Sequence, residues 1–271
     1  MQIQHNIAAI NSYRNLGINQ SALSKNLEKL SSGYRINRAG DDAAGLAISE
    51  SMRSQINGLN QASKNAEDAI GLIQTAEGAL TEVHSMLQRM TTLATQAANG
   101  TYNSVARQNV QTEIDQLTAE IDRIAESTNF NDIKPLDGST TMTFQIGPSA
   151  EEKLTLTPSN MNSASLGIDS VTVTGNDGTN ANAALEKITD AIDQVSEYRA
   201  KLGAAQNRLE HTVNNLDVTS ENIQAAESRI RDTDMADEMT AFTKNNILLQ
   251  ASQSMLAQSN AVPQGILSLL Q

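Results

Sequence analysis

Apolar residues recur at steps of three and four along most of this chain. Ile3, Ile7 and Ile10, then Leu16, Leu23, Leu27 and Leu30, fall on one stripe, which predicts a helix over residues 1–34. Gly33 and Gly40 break the pattern, with Arg35 and Arg38 between them, so residues 31–42 read as a connector. Asp41 or Asp42 is placed to cap a second helix opening at Ala43. From Met52 its stripe continues through Ile56, Leu59, Ala66, Ile70, Ile73, Ala76, Leu80, Val83, Leu87, Met90, Ala94 and Ala97, until Asn99-Gly100 ends it. Such a rod is roughly 80 Å long, more than one globule needs. Val110, Ile114, Leu117, Ile121 and Ile124 mark a third helix, ending near Ser127-Thr128-Asn129.

The pattern then changes. Between Phe130 and Asn182 the chain is rich in Thr, Ser, Asn and Gly and holds Pro135, Pro148 and Pro158. Met142, Phe144 and Ile146 alternate with polar residues, as do Leu154 and Leu156 across Gly147-Pro148, which predicts a β-hairpin. Val171-Thr172-Val173-Thr174, before Gly175-Asn176-Asp177-Gly178, predicts another short strand and turn. Helix resumes at Ala183 with Leu185, Ile188, Ile192, Val195, Leu202, Leu209, Val213, Leu216, Ile223 and Ile230, and Asp232-Thr233-Asp234 interrupts it before a last helix. The order is nearly palindromic. The simplest fold is mainly α, a long antiparallel helical bundle or coiled coil with paired N- and C-terminal helices and a small β-hairpin region in the middle. Residues 1–40 with 232–271 form an inner terminal domain in this reading, and residues 41–231 an outer bundle with a β-rich head at about 130–182.

The segment from Met239 to Gln271 is unusual. It carries twelve large apolar side chains, eight amides and one charge, Lys244. A solvated surface helix carries charge on its outer face, while the amides and the lack of a long apolar run argue against a membrane span. Ordering so many backbones outweighs what twelve apolar side chains return by packing on themselves. Other helices must surround the segment, and other copies of the chain are the simplest source.

Charge and composition remove other classes. Residues 1–40 carry five basic side chains and one acidic, net +4, whereas residues 41–234 carry 13 basic and 28 acidic, net −15. With aromatics at 3% and no Trp, the basic stripe with interleaved aromatics of a nucleic-acid binder is missing. The chain has no cysteine, which excludes disulfides, thiolate zinc sites and cysteine nucleophiles. His5, His84 and His211 stand alone, without a second ligand at helical spacing. Asp232, Asp234, Asp237 and Glu238 lack the loop glycine and twelfth-position glutamate of a calcium loop and read as helix-starting acids. Asn99-Gly100-Thr101 matches the N-glycan pattern weakly, and Ser/Thr groups between Ser139 and Thr179 are candidate O-glycan sites. No nucleophile–base pair stands out, so no enzyme and no cofactor is expected. A membrane-active amphipathic helix would want a Lys/Arg-rich polar face, and Met239–Gln271 offers only Lys244. Met1-Gln2-Ile3-Gln4-His5-Asn6 lacks the basic and apolar regions of a signal peptide, so the expectation is cytoplasmic residence or export by another route.

Several runs carry a resemblance. Leu30-Ser31-Ser32-Gly33-Tyr34-Arg35-Ile36-Asn37-Arg38-Ala39-Gly40-Asp41-Asp42-Ala43-Ala44-Gly45-Leu46-Ala47-Ile48-Ser49 looks like the N-terminal signature of bacterial flagellins, as does the opening Met1-Gln2-Ile3-Gln4-His5-Asn6. Asn246-Ile247-Leu248-Leu249-Gln250-Ala251 and Val262-Pro263-Gln264-Gly265-Ile266-Leu267-Ser268-Leu269-Leu270 match the family's ending. The resemblance covers roughly residues 1–138 and 183–271, and the chain looks like a short flagellin without large variable outer domains.

The resemblance implies a structural subunit that self-assembles into the bacterial flagellar filament for swimming. Its termini would polymerise into inner tubes around an export channel, through a core of Ile3, Ile7, Ile10, Leu23, Leu27, Leu30, Phe242, Ile247, Leu248, Leu249, Met255, Leu256, Ile266, Leu267 and Leu270. It also implies export through the flagellar type III apparatus to an extracellular filament. Filament cap and hook-junction proteins are the implied assembly neighbours, with a secretion chaperone on the C-terminal helix and no nucleic-acid or membrane partner. A hook–filament junction protein of the same family is the alternative reading. Leu87-Gln88-Arg89-Met90-Thr91-Thr92-Leu93-Ala94-Thr95-Gln96-Ala97-Ala98-Asn99-Gly100 is similar to the motif by which flagellins engage Toll-like receptor five, with Thr91 and Thr92 in place of a charged pair. By that resemblance Arg89, Leu93 and, on the next helix, Glu113 are candidate receptor contacts.

Overall fold

The computed structural model describes residues 6–175 and 178–269, the side chains of residues 263–269 excepted. The elements run α1 (Ile7–Ser32), α2 (Ala43–Ala98), α3 (Ser104–Ser127), β1 (Met142–Gln145), β2 (Lys153–Leu156), α4 (Ser163–Leu166), α5 (Thr179–Arg231) and α6 (Met235–Leu269). They divide into two compact units, Met1–Ser54 with Asn222–Gln271, and Gln55–Glu221.

In the second unit the buried positions of α2 form a row at Leu59, Ala62, Ala66, Ala69, Ile73, Ala76, Leu80, Val83, Leu87, Met90, Ala94 and Ala97, with Leu72 and Leu93 buried beside it. Those of α5 fall at Ala181, Ala184, Ile188, Ala191, Val195, Tyr198, Leu202, Ala205 and Leu209. Strict alternation of three- and four-residue steps is a heptad, the repeat that winds helices into a left-handed coiled coil. Ser63 donates to Asp217 at 3.0 Å, Ser220 to Asn60 at 2.9 Å, and Arg199 pairs with Glu77 at 3.5 Å, so α2 and α5 run antiparallel. The stripe of α3 through Val110, Ile114 and Ile121 joins the same core.

The head is held onto this bundle. β1 and β2 pair antiparallel with Met142 opposite Leu156 and Phe144 opposite Leu154, as the alternation predicts. Asn131 and Asp132 take φ of 51° and 63° in a tight turn that bridges Phe130 to Ile133, and Asn and Asp tolerate this left-handed region better than most residues. Asp122 accepts from the Ser163 backbone N–H at 2.7 Å and its hydroxyl at 2.8 Å, which fixes α4 against α3. The buried Tyr198 hydroxyl donates to the Pro135 carbonyl at 3.1 Å.

Two sequence expectations are corrected here. Residues 171–174 form no strand; Val171 and Val173 are buried, but among the described residues no second strand pairs with the segment. The Gln111 carboxamide takes that place, its Nε2 donating to the Val171 carbonyl at 3.0 Å and its Oε1 accepting from Val173 N–H at 2.7 Å. α5 starts at Thr179 rather than Ala183, because Ala181 already belongs to the core heptad. Asn176 and Asp177 of the expected turn lie outside the described residues.

In the first unit α1 and α6 pack against each other. Asn6 caps α1 by accepting from Ala9 N–H at 3.0 Å, and Gly33 ends it at φ 76°. The two aspartates of the connector separate their tasks. Asp42 caps α2 through Gly45 N–H at 2.9 Å, while Asp41 accepts from the Arg38 and Asn37 backbone N–H groups at 3.0 and 3.2 Å. Those two bonds, Arg38's first, hold the Asp41 carboxyl below the usual aspartate range.

Candidate assembly surface

The terminal pair is pinned at its connector end by backbone and by arginine. Arg35 N–H donates to the Arg231 carbonyl at 2.7 Å and Thr233 N–H to the Gly33 carbonyl at 3.0 Å, a short antiparallel bridge. The Arg231 and Arg53 guanidinium carbons stand 4.6 and 5.8 Å from the Tyr34 ring centroid. Arg231 also donates to Glu50 at 2.9 Å, and Arg53 to Glu227 at 3.0 Å. The Gly33–Asp41 run of the signature therefore builds the joint at which α1 and α6 leave the long helices.

Beyond the joint, the apolar side chains of α1 and α6 split into two sets. Leu16, Leu23 and Leu30 on α1, and Phe242, Leu249 and Leu256 on α6, are half-buried at seven-residue spacing. Ile7, Ile10, Leu27, Ile247, Leu248 and Met255 lie outside this seam, with Ile10 61% and Met255 63% exposed. The single stripe read from sequence is therefore two faces. The Leu16–Leu23–Leu30 row continues back to Ala9, which leaves Ile7 and Ile10 off it, and between Leu23 and Leu30 the seam takes Asn26 and turns Leu27 outward. Ile3 and Leu270, with the side chains of Ile266 and Leu267, lie outside the described residues. Exposed apolar groups on both helices and few charges make a surface suited to burial against further helices.

The polar members of the seam were missed by sequence reasoning. Asn19 Nδ2 donates to Ser252 Oγ at 2.9 Å, and Asn6 Nδ2 to the Ser259 carbonyl at 2.8 Å. Asn26 is the buried residue of α1. The seven-residue repeat of Ser12, Asn19 and Asn26 was the available signal.

The three receptor candidates do not share one surface. Arg89 and Glu113 form an exposed ion pair between α2 and α3, at 2.7 and 2.8 Å from Nη2 and Nε to Oε1. Leu93 is 2% exposed and packs in the bundle core. Its place in the α2 core, one residue from the heptad position Ala94, turns it inward. Among the described residues no cluster of metal-ligating side chains occurs, and no described helix is long and apolar enough to cross a membrane.

A helical coiled-coil body with exposed apolar terminal helices defines a subunit of a polymer. Residues 3–141 match the family model of the bacterial flagellin N-terminal helical region, and residues 185–270 that of the C-terminal helical region. The chain is 52% identical to the flagellin of Bacillus subtilis and 54% identical to that of Halalkalibacterium halodurans, each alignment covering 100% of both proteins. It is 47% identical, again over 100% of both, to a flagellar filament 33 kDa core protein of Treponema phagedenis. The crystal structure of Bacillus cereus flagellin superposes with a TM-score of 0.51 at 34% identity, over 60% of this chain and 94% of that one. The chain belongs to the bacterial flagellin family, and it is a structural subunit of the flagellar filament.

Proposed function

We propose that α1 and α6, together with the flanking residues of 1–40 and 232–271, form the inner layer of the filament, and that residues 41–231 form its outer bundle. The observation that carries this reading is the terminal face itself: Ile7, Ile10, Ile247 and Met255 stand exposed beside a half-polar seam. Burying each such side chain against a neighbouring copy contributes about 1.5–3 kcal/mol, which the isolated pair lacks. The subunit leaves the cell through the flagellar type III apparatus, held beforehand by a secretion chaperone on α6, and adds beneath a cap protein to a filament that hook-junction proteins anchor. The role is non-enzymatic. Seeded polymerisation followed by electron microscopy tests it: the parent protein extends seeds into long tubes, and a Met255→Glu variant does so only at a critical concentration more than tenfold higher. Extension at the parent's rate by that variant would count against the inner-layer assignment.

Toll-like receptor five is a further partner in this reading, engaged through Arg89 and Glu113 on the surface of α2 and α3. The exposed ion pair supports it by presenting both side chains in a fixed arrangement. An Arg89→Ala protein is expected to signal more weakly in receptor-reporter cells at equal dose, and an unchanged dose response would exclude this contact.

A further inference from the structure

The inward face of α1 repeats every seven residues in two rows, one apolar (Ala9, Leu16, Leu23, Leu30) and one polar (Ser12, Asn19, Asn26). α6 answers with Phe242, Leu249 and Leu256 in one row and Asn245, Ser252 and Ser259 in the other. The α2 and α5 heptads contain no comparable polar row between Ala62 and Leu209; their inward positions are apolar throughout. Half of the terminal seam thus gives up apolar burial. Asn26 shows what this does locally, since it is 8% exposed and its Nδ2 has no hydrogen-bond partner. A leucine there would remove that unpaired amide and add apolar contact.

An all-apolar heptad seam tolerates a slip of half a heptad, because each large side chain then meets another large side chain. The polar rows forbid it. A shift of three or four residues replaces Ser252 by Leu249 or Leu256 opposite Asn19, which removes the shorter of the two hydrogen bonds that its amide makes, the longer being to the Leu248 carbonyl at 3.4 Å. A full-heptad slip would return polar to polar and is opposed by the connector end alone, where the bridge of Arg35 to Arg231 and of Thr233 to Gly33 breaks in any slip; against the half-heptad slip the polar rows add to that bridge. A polar residue at a seam position is a known means of choosing one register at a cost in stability. We infer that the polar rows of α1 and α6, through Asn19 and Ser252 above all, select the register of the terminal helix pair. They hold α1 and α6 in one axial alignment, so that the exposed apolar faces of both helices meet neighbouring subunits at matched heights.

This inference rests on the terminal pair being ordered in the filament, which the parent protein's own behaviour checks separately. Nitroxide labels at Lys25→Cys and Gln258→Cys, both exposed positions in a chain without native cysteine, report the axial alignment by electron–electron double resonance. Labelled subunits are copolymerised with excess unlabelled parent. In the parent background one distance is expected. In Asn19→Leu/Asn26→Leu a second population is expected, displaced by about 5 Å, the rise of half a heptad. Asn19→Ser/Asn26→Ser, which keeps the row polar, is expected to retain the single distance. A single, unshifted distance in the double-leucine protein would overturn the inference, because the connector bridge or the neighbouring subunits would then be setting the register without the polar rows. If the double-leucine protein does not enter filaments, the same labels are read in the single variants Asn19→Leu and Asn26→Leu, copolymerised in the same way. A single alignment equal to the parent filament's would again overturn the inference, and two alignments would uphold it.

Discussion

Arg107 donates from Nε to the Ala97 carbonyl at 2.8 Å, inside the bundle, with the arginine only 2% exposed. Nη2 reaches the Asn99 carbonyl at 3.3 Å and Nη1 the Gly175 carbonyl at 2.9 Å. Ala97 and Asn99 bracket the end of α2, where the helix leaves carbonyls without intrahelical partners and its dipole favours a cation. One guanidinium thus caps α2, holds the α2–α3 turn and ties the head segment at Gly175. Arg107→Met is expected to leave these acceptors unpaired and to destabilise the second unit by about 3 kcal/mol. Thermal unfolding followed by circular dichroism checks this, and Arg107→Lys, which cannot fork to three carbonyls, is expected to recover less than half of the loss.

Gln111 offers a sharper test of the same kind. Its carboxamide supplies both a donor and an acceptor to residues 171–173, as a neighbouring strand would. Gln111→Glu keeps the acceptor for Val173 N–H but places a second acceptor against the Val171 carbonyl. Gln111→Leu removes both bonds. Each is expected to cost about 2 kcal/mol. The local signature of Gln111→Leu is faster amide hydrogen exchange at Val173 with the exchange of α2 amides unchanged, measured by NMR or mass spectrometry.

These two side chains also mark where the sequence stopped being readable. The heptads of α2 and α5 were legible because packing acts at a fixed period: Leu59 to Ala97 and Ile188 to Leu216 announce themselves by spacing alone. The hairpin was legible for the same reason, through Met142, Phe144, Leu154 and Leu156. Val171-Thr172-Val173-Thr174 has the composition of a strand, yet a strand is defined by its partner, and here the partner is a glutamine side chain sixty residues away. On the terminal helices, apolar identity was visible but orientation was not. Ile10 and Leu16 look alike in a list of apolar residues, and only the polar row of Asn19 and Asn26 shows which of them faces the seam. The burial of Leu93 was not legible from its motif, because a motif resemblance carries no information on burial.

Tyr198 predicts an alkaline limit to stability. Burial pushes its phenol above the usual tyrosine range, while a hydrogen bond from the Ser159 backbone pulls slightly the other way. The folded state therefore holds the proton more tightly than the unfolded chain does. The resulting stability is fully present below the unfolded pKa of about 10 and falls as pH rises from there through the folded value. Tyr198→Phe is expected to be less stable than the parent at neutral pH by about 1 kcal/mol, since the Pro135 carbonyl loses its donor. The difference should shrink or reverse above pH 10, and parallel stability–pH curves for the two proteins would refute the assignment.

The exposed terminal face separates assembly from folding. Ile247 and Met255 make no seam contribution in the isolated chain, so charging them removes nothing that holds the first unit together. In the polymer each would lie against a neighbouring helix, where an unpaired carboxylate is strongly disfavoured. Ile247→Glu and Met255→Glu are therefore expected to unfold within about 0.5 kcal/mol of the parent as monomers, with the same melting transition for the Gln55–Glu221 unit. Both are expected to lose seeded polymerisation by more than tenfold in critical concentration. Leu249→Glu, at a half-buried seam position, is expected to lose polymerisation and also to weaken the α1–α6 pair, seen as loss of helicity and faster proteolysis of the termini. If all three variants behaved alike in the monomer, the division of the terminal helices into a seam and an outward assembly face would be wrong.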